Sequence, residues 1–220
     1  MLQVFAGCFV LAFVTWKTEV LSAPGSIMAF IIGSLIWAMN DFYWISVLIL
    51  FLVVGYIGTK WDFDTKKEIG SEEENNGKRG LKNILGNGTS PAFFAVISSP
   101  VGFLGSVSTA LADTLASEVG VLSKRTRLIT TWEKVEPGTN GAVSPLGTLL
   151  SAVGAGIIAV MGYLLLGINP LAPFLGGFLG CQIDSLLGAT LERKGYITKS
   201  GVNLVATFSG GLISFLIVIL

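Results

Sequence analysis

The 220-residue chain contains no histidine and only two cysteines. The lack of histidine excludes His-ligated metals and imidazole general bases, and leaves open a hard-metal site built from carboxylates. Cys8 and Cys181 both fall in apolar segments, where a thiol behaves as a small buried hydrophobe, so a disulfide is not expected. Charge is scarce too. Only 13% of the residues are Asp, Glu, Lys or Arg, and fourteen of each sign cancel, which gives no electrostatic case for a nucleic-acid partner. No GxxxxGK[ST] is present: Gly77-Lys78 is followed by Arg79, and Gly70 is wrongly spaced. Any nucleotide would be held without a P-loop.

What the chain has is apolar sequence. Hydrophobic residues make up 52% and mean hydropathy is +0.74, the composition of a polytopic membrane protein. One transmembrane helix bundle over residues 1–220 is expected. Apolar segments run at about 1–16, 24–39, 42–58, 89–112, 144–167, 170–191 and 201–220. The first has no basic leader and no small-residue cleavage site before Trp16-Lys17, so it reads as a retained helix. Its sixteen residues span roughly 24 Å against a hydrocarbon core of about 30 Å. Residues 59–88 read as one long polar loop. Its part from 62 to 80, with Glu72-Glu73-Glu74 and Asn75-Asn76-Gly77, is expected to be partly mobile and solvated.

Three Ser-Pro pairs, at 90–91, 99–100 and 144–145, have the pattern of a capping serine followed by proline in the first helical turn. Asn169-Pro170 has the same form. The pair at 99–100 interrupts an apolar stretch and predicts a half-helix over 91–98, a break, and a second helix from Pro100. Lys and Arg number one in 17–23, six in 59–88, four in 119–143 and three in 192–200, with none around 40 or 168. A single crossing by 89–118 would split them seven and seven; a hairpin or re-entrant pair puts all fourteen on one side, as the positive-inside rule prefers. The expected architecture is therefore all-α, with six full crossings plus a re-entrant or hairpin pair at 89–118. The break should face the protein interior, and both termini should lie outside.

Two acids lie deep in apolar sequence: Asp113, in Ala-Asp-Thr-Leu-Ala-Ser-Glu, and Asp184, in Asp-Ser-Leu-Leu-Gly-Ala-Thr-Leu-Glu. A carboxylate at membrane depth costs several kcal/mol unless paired, and defaults to a functional reading. Gly180, Asp184 and Gly188 share one helix face, which Gly176 extends, so another helix or a ligand can approach closely. Asp113 and Glu118 are five apart, roughly 140° around an ideal helix; Ser117 lies nearer the Asp113 face. Residues 136–145, Glu-Pro-Gly-Thr-Asn-Gly-Ala-Val-Ser-Pro, form a glycine-bearing loop leading into a capped helix start, a pattern for anion binding by backbone N–H groups, although an ordinary interhelical turn has the same composition. Asn87-Gly88-Thr89-Ser90-Pro91 repeats the pattern. Lys60, Lys78, Arg79 and Lys82 supply cations nearby, which the positive-inside signal also explains.

The ordered set Lys78-Arg79-Gly80, Asn87-Gly88, Ala112-Asp113-Thr114 with Ala116-Ser117-Glu118, Pro137-Gly138-Thr139-Asn140-Gly141, Gly147-Thr148 and Asp184-Ser185-Leu186-Leu187-Gly188-Ala189 resembles an integral membrane family known as domain of unknown function ninety-two. That family includes the plant phytyl-phosphate kinase and transmembrane protein nineteen. The resemblance runs from about Ser22 to the C-terminus. It implies a nucleotide-dependent kinase that makes a prenyl diphosphate from a prenyl monophosphate, with CTP the leading donor and Mg²⁺ the metal. On that expectation Asp113, Glu118 and Asp184 hold the metal, and Lys78 and Arg79 neutralise phosphates. Asn87, Gly88, Ser117, Gly138, Thr139, Asn140, Gly141, Lys60, Ser185 and Gly188 bind the nucleotide. The lipid's head lies at the cytoplasmic face and its tail enters between helices; a homo-oligomer is compatible with this arrangement. The family's long variable loop after the Asp-Ser-Leu-Leu-Gly motif is here only about eight residues, Arg193–Ser200. Two other readings use similar groups: a transporter or flippase, whose acids belong at the midplane, and a cytidylyltransferase acting on a lipid phosphate, which releases pyrophosphate.

Overall fold

The computed structural model describes residues 1–70 and 77–220; the expected acidic run at 72–74 and Asn75-Asn76 lie outside the described residues. The helices are α1 (Leu2–Lys17), α2 (Ala23–Met39), α3 (Phe42–Lys60), α4 (Phe63–Glu68), α5 (Leu81–Val96), α6 (Pro100–Glu118), α7 (Pro145–Leu166), α8 (Leu171–Leu187) and α9 (Lys199–Ile219). Between α6 and α7, Arg127–Leu128 pairs antiparallel with Ala142–Val143 in a small two-stranded ladder. Among the described residues, four helical segments are long and apolar enough to cross a membrane: Phe42–Lys60, Pro145–Leu166, Leu171–Glu192 and Lys199–Ile219; α1 and α2 are apolar but shorter.

The centre of the bundle is α6. Every residue from Gly102 to Ala112 is buried, the signature of a helix covered on all sides. Its run of Gly, Ser, Thr and Ala lets neighbours approach backbone to backbone, as membrane helices do where small residues meet. A Cβ on Gly177 of α8 would lie 2.2 Å from Ser108 Oγ, and one on Gly180 2.3 Å from Thr109 Oγ1. A Cβ on Gly154 of α7 would lie 2.9 Å from the Ala112 Cα. The Gly176/Gly180 stripe therefore seats other helices, Gly176 against Ser214 and Gly210 of α9. Two polar side chains of α6 bond inside the protein: Ser108 Oγ donates to Ala155 O (3.0 Å) and Thr109 Oγ1 to Gly105 O (2.9 Å).

The segment before α6 differs from the expectation. No half-helix starts at Pro91. The helix begins at Leu81 and carries Pro91 in its interior, although proline removes a donor and its ring crowds the carbonyl four residues back. Packing against α9 compensates. Gly86 lies against Ser200 and Asn203, Ser90 Oγ donates to Leu204 O (3.1 Å), and Thr207 Oγ1 donates to Ser90 Oγ (3.0 Å). At one end of α5 the Ser22 N–H donates to Arg79 O (3.0 Å); at the other, Asn40 Nδ2 donates to Ala95 O (3.1 Å). Thus α5 runs the length of α2, and α5 with α6 is a full-length helical hairpin rather than a shallow half-helix pair. Its turn is partly outside: Ser99 is buried and caps α6 through Gly102 N–H (3.3 Å), but Ile97 and Ser98 are exposed.

The stretch expected as one polar loop also contains α4, which docks by one side chain. Lys66 is fully buried. Its Nζ donates to Gly58 O (3.2 Å), to Thr59 O and to Glu118 Oε2 (2.9 Å). An ammonium has three donors, and here all three find partners. The C-terminal ends of α3 and α6 are tied together through it.

Candidate functional site

Asp113 lies one turn before the C-terminal end of α6, and Asp184 lies near the end of α8. The close glycine-mediated packing of these helices brings the two carboxyls within hydrogen-bonding reach of each other. Two carboxylates at that separation need a proton or a cation between them. Asp184 Oδ2 is buried with no hydrogen-bond partner in the protein, an unusual state for a buried acceptor.

The pair opens onto a polar cavity of about 380 Å³. Its walls are the ends of α6 and α8, the loop from Pro137 to Val143, the start of α7, and Lys199 at the start of α9. Ser144 caps α7 by accepting from Gly147 N–H (3.0 Å), and Ser144, Gly147 and Thr148 line the cavity. The positive end of α7 thus sits in the same cavity as the acids, an arrangement suited to an anion. The glycine loop is held against α8 by contact. Gly141 has φ of +78°, and a Cβ there would lie 2.3 Å from Ala189 N, so only glycine fits both the backbone and the space. After Leu187 the helix widens into a π-helical turn over Gly188–Glu192, a feature frequent at functional sites. Gly188 and Ala189 of that turn are what Gly141 packs on.

Of the residues singled out from sequence, Asp113, Ser117, Glu118, Gly138, Thr139, Asn140, Gly141, Asp184, Ser185 and Gly188 all line this cavity. The acids do not converge as three. Glu118 turns to Lys66, in keeping with its angular separation from Asp113, and among the described residues no group of three or more His, Cys, Asp or Glu could hold a metal. Asn87 and Gly88 are elsewhere. They lie inside α5 rather than at a helix start and line a second, apolar cavity. Lys78 pairs at the surface with Glu19 (2.7 Å), which holds the Glu19 carboxyl below its ordinary pKa. Lys60 lies over the Tyr56 and Phe63 rings. Arg79 is buried over Phe51, outside the polar lining though within electrostatic range of Asp113.

Sequence reasoning missed Lys199, Gln182 and Ser151, which line the cavity, and named Thr148, which also lines it, only as part of a motif. Lys199 interacts electrostatically with Asp113, Asp184 and Glu192. A signal existed: it is the first residue of α9, where the helix dipole disfavours a cation unless acids face it. Gln182 gave no signal distinct from an ordinary helix-face residue.

A family model for an integral membrane protein family, DUF92, matches residues 6–211. The chain is 38% identical over 217 residues to an uncharacterized membrane protein of Methanocaldococcus jannaschii, covering 94% of this chain and 90% of that one. It is 33% identical to an uncharacterized membrane protein of Synechocystis sp., covering 96% and 88%. It is also 28% identical to Protein VTE6, chloroplastic, of Arabidopsis thaliana, covering 89% and 65%. No solved structure matches.

Proposed function

The chain belongs to the DUF92 integral membrane protein family, and from that premise we propose that it is a kinase that uses a nucleoside triphosphate, CTP, to convert a prenyl monophosphate to a prenyl diphosphate at the cytoplasmic membrane face. The observation that carries this reading is the Asp113–Asp184 pair facing a glycine loop and a helix N-terminus across one polar cavity. Acids alone would suit a cation path, and a loop and helix end alone would suit any anion. Their combination suits a metal-bound polyphosphate.

The residues present fit Mg²⁺. This ion is commonly held by one or two carboxylates plus substrate phosphates rather than by a protein cage. Two carboxyls in mutual reach, one with an orphaned buried oxygen, are such a set. Asp113 and Asp184 would hold it, and when bound it supplies neutralisation of phosphate charge. The remaining work falls to the chain. The positive end of the α7 dipole attracts phosphate oxygens, while its Gly147 and Thr148 amides are already spent on Ser144 Oγ and Ser144 O. Thr139 N–H is already spent on Glu136 O (3.2 Å), which leaves the amides of Gly138, Asn140 and Gly141 to the ligand. Lys199 adds positive charge. The acceptor is an anionic phosphate oxygen, so no general base is required, in keeping with a chain that lacks histidine. Phosphoryl transfer rests on alignment and charge neutralisation. The acceptor oxygen forms a bond to the γ-phosphorus, the β–γ bridging bond breaks, and CDP leaves with the electron pair.

The test uses purified protein in detergent with Mg²⁺, geranylgeranyl phosphate and CTP labelled at the γ- or α-phosphate. Label from the γ-position is expected in the lipid. Label from the α-position alone makes the enzyme a cytidylyltransferase. Label from neither, with solute movement in liposomes, makes it a transporter. Single cysteines at Glu133 and Lys194, in a chain lacking Cys8 and Cys181, should react from the cytoplasmic side only.

A further inference from the structure

Between α6 and α7 the chain folds into a tight hairpin. Leu128 N–H donates to Glu133 O (2.9 Å), Trp132 N–H donates to Leu128 O (2.9 Å), and Arg127 bridges to Lys134. At the tip Trp132 is 65% exposed and has φ of +59°. That backbone region suits glycine or asparagine, and a bulky residue there is an outlier. The turn is held in place because Arg127 Nη1 also donates to Trp132 O (2.6 Å). A large apolar ring is thus kept outside on a backbone it does not favour, and strain of this kind points to a use for the side chain. Lys124, Arg125, Arg127 and Lys134 are exposed around it, against Glu133 and Glu136.

Place decides what the ring meets. Pro145 opens α7, whose 22 residues are long and apolar enough to cross a membrane. That helix spans roughly 33 Å against a hydrocarbon core of about 30 Å, so Pro145 lies at the hydrocarbon edge. Leu128 pairs with Ala142, three residues before Pro145, which is roughly 10 Å of extended chain. The tip is therefore held beside the head-group layer, where tryptophan concentrates. Exposed tryptophans next to lysine mark the same end of the bundle: Trp16-Lys17 closes α1 and Lys60-Trp61 closes α3. These ends are joined. Arg79 N–H donates to Val20 O (3.1 Å) after α1, a Cβ on Gly77 would lie 3.0 Å from Thr59 of α3, and Lys66 links Thr59 to Glu118 at the end of α6.

We propose that the hairpin at 124–134 is an anchor on anionic lipid head groups: Trp132 seats in the head-group layer, and Lys124, Arg125 and Lys134 meet lipid phosphates. The anchor acts on the polar cavity through the backbone. Ile129 N–H donates to Gly141 O (3.1 Å) and Leu128 pairs with Ala142, so a hairpin fixed at the membrane fixes the glycine loop that lines the cavity. Anionic lipid thereby regulates the order of that loop. The consequence for nucleotide binding rests on the proposed kinase reading; the lipid contact does not.

The experiment is indole quenching of the full chain in nanodiscs whose lipids carry bromine on the upper acyl chain, with Trp132→Phe subtracted to isolate Trp132. Quenching is expected to rise as phosphatidylglycerol replaces phosphatidylcholine. Arg125→Gln should raise the phosphatidylglycerol fraction at half-maximal quenching about fivefold, the weight of one basic residue at an anionic surface. Hydrogen exchange of the 138–142 amides reads the coupling without turnover. Phosphatidylglycerol should slow that exchange in the native chain but not in Trp132→Gly, whose glycine suits the +59° backbone and keeps the hairpin folded. KM for CTP should fall in phosphatidylglycerol for the native chain and stay level for Trp132→Gly. Trp132 unquenched in either lipid would overturn the anchor and leave this face to a protein partner. Equal quenching in the two lipids would overturn the anionic preference, and quenching with no change at 138–142 would overturn the coupling. Quenching and slowed exchange without γ-phosphoryl transfer would sink the kinase reading and leave the anchor standing. Turnover with Trp132 unquenched would do the reverse.

Discussion

Two cavities of nearly equal volume, about 380 and 390 Å³, lie in one helical bundle and are built in opposite ways. The apolar cavity is made by the flanks of α1, α2, α3 and α5. Its shape comes from side-chain size, and much of its rim faces outward. The polar cavity is made by ends: the last turns of α6 and α8, the first turn of α7, and a loop pinned to a π-helical turn. Ends are where backbone amides and carbonyls are unpaired, so a membrane protein can place polar chemistry there without burying unsatisfied backbone at depth. The lesson is a division of labour: helix sides frame an apolar space, and helix ends gather charge.

The sharpest break of that comparison is at the acids. Asp113→Asn or Asp184→Asn should lower turnover by roughly 10²–10³-fold, the effect of removing one charge-stabilising group, while thermal unfolding is retained. If either variant kept normal turnover at low Mg²⁺, that acid would leave the site.

Comparable in size, but read in stability rather than turnover, is the buried Lys66–Glu118 ion pair, which ties α4 to the ends of α3 and α6. Removing one partner of a buried pair leaves an unpaired charge and costs about 3–5 kcal/mol. Lys66→Met should show that loss in denaturant unfolding, and Lys66→Met with Glu118→Gln should recover much of it. If Lys66→Met left stability intact and abolished nucleotide binding, the pair would belong to the chemistry.

Gly141→Ala should act only on the polar cavity. A side chain there meets Ala189 and requires φ of +78°, a strain of about 1–3 kcal/mol. KM for CTP is expected to rise; a change in the opposite sense would detach the loop from the nucleotide. The smallest effect is expected at Lys78. Its exposed pair with Glu19 stands outside both cavities, and such surface pairs matter little, so Lys78→Ala should alter kcat/KM by less than about twofold. A large loss would restore Lys78 to the phosphate-binding role that its motif implied.

Both the acid pair and the 138–145 loop could be read from the chain, because their signals are local: a carboxylate in apolar sequence, glycines before a capping serine. Helix α5 could not. Ser90-Pro91 and Ser144-Pro145 look alike in sequence, yet Ser144 caps a helix, while Ser90 sits mid-helix with its hydroxyl bonded to Leu204 O, over a hundred residues away. Tertiary packing against α9 decides between these outcomes, and no window around Pro91 contains α9. Lys66 was hidden for a similar reason. A lysine among polar loop residues reads as solvated until Glu118 is known to meet it. The break at Ser99-Pro100 that separates α5 from α6 was legible in the sequence; the length of the first helix became clear only when α5 was found to run from Leu81 to Val96 beside α2.

The most direct test of the central claim, that Asp113 and Asp184 form the centre where the donor's phosphates are handled, is Mn²⁺ binding followed by electron paramagnetic resonance on purified protein with CTP present. The account predicts one protein-dependent, CTP-dependent Mn²⁺ site in the native chain and its loss in Asp113→Asn and Asp184→Asn, with Glu118→Gln retaining it. Unchanged binding in both aspartate variants would contradict it.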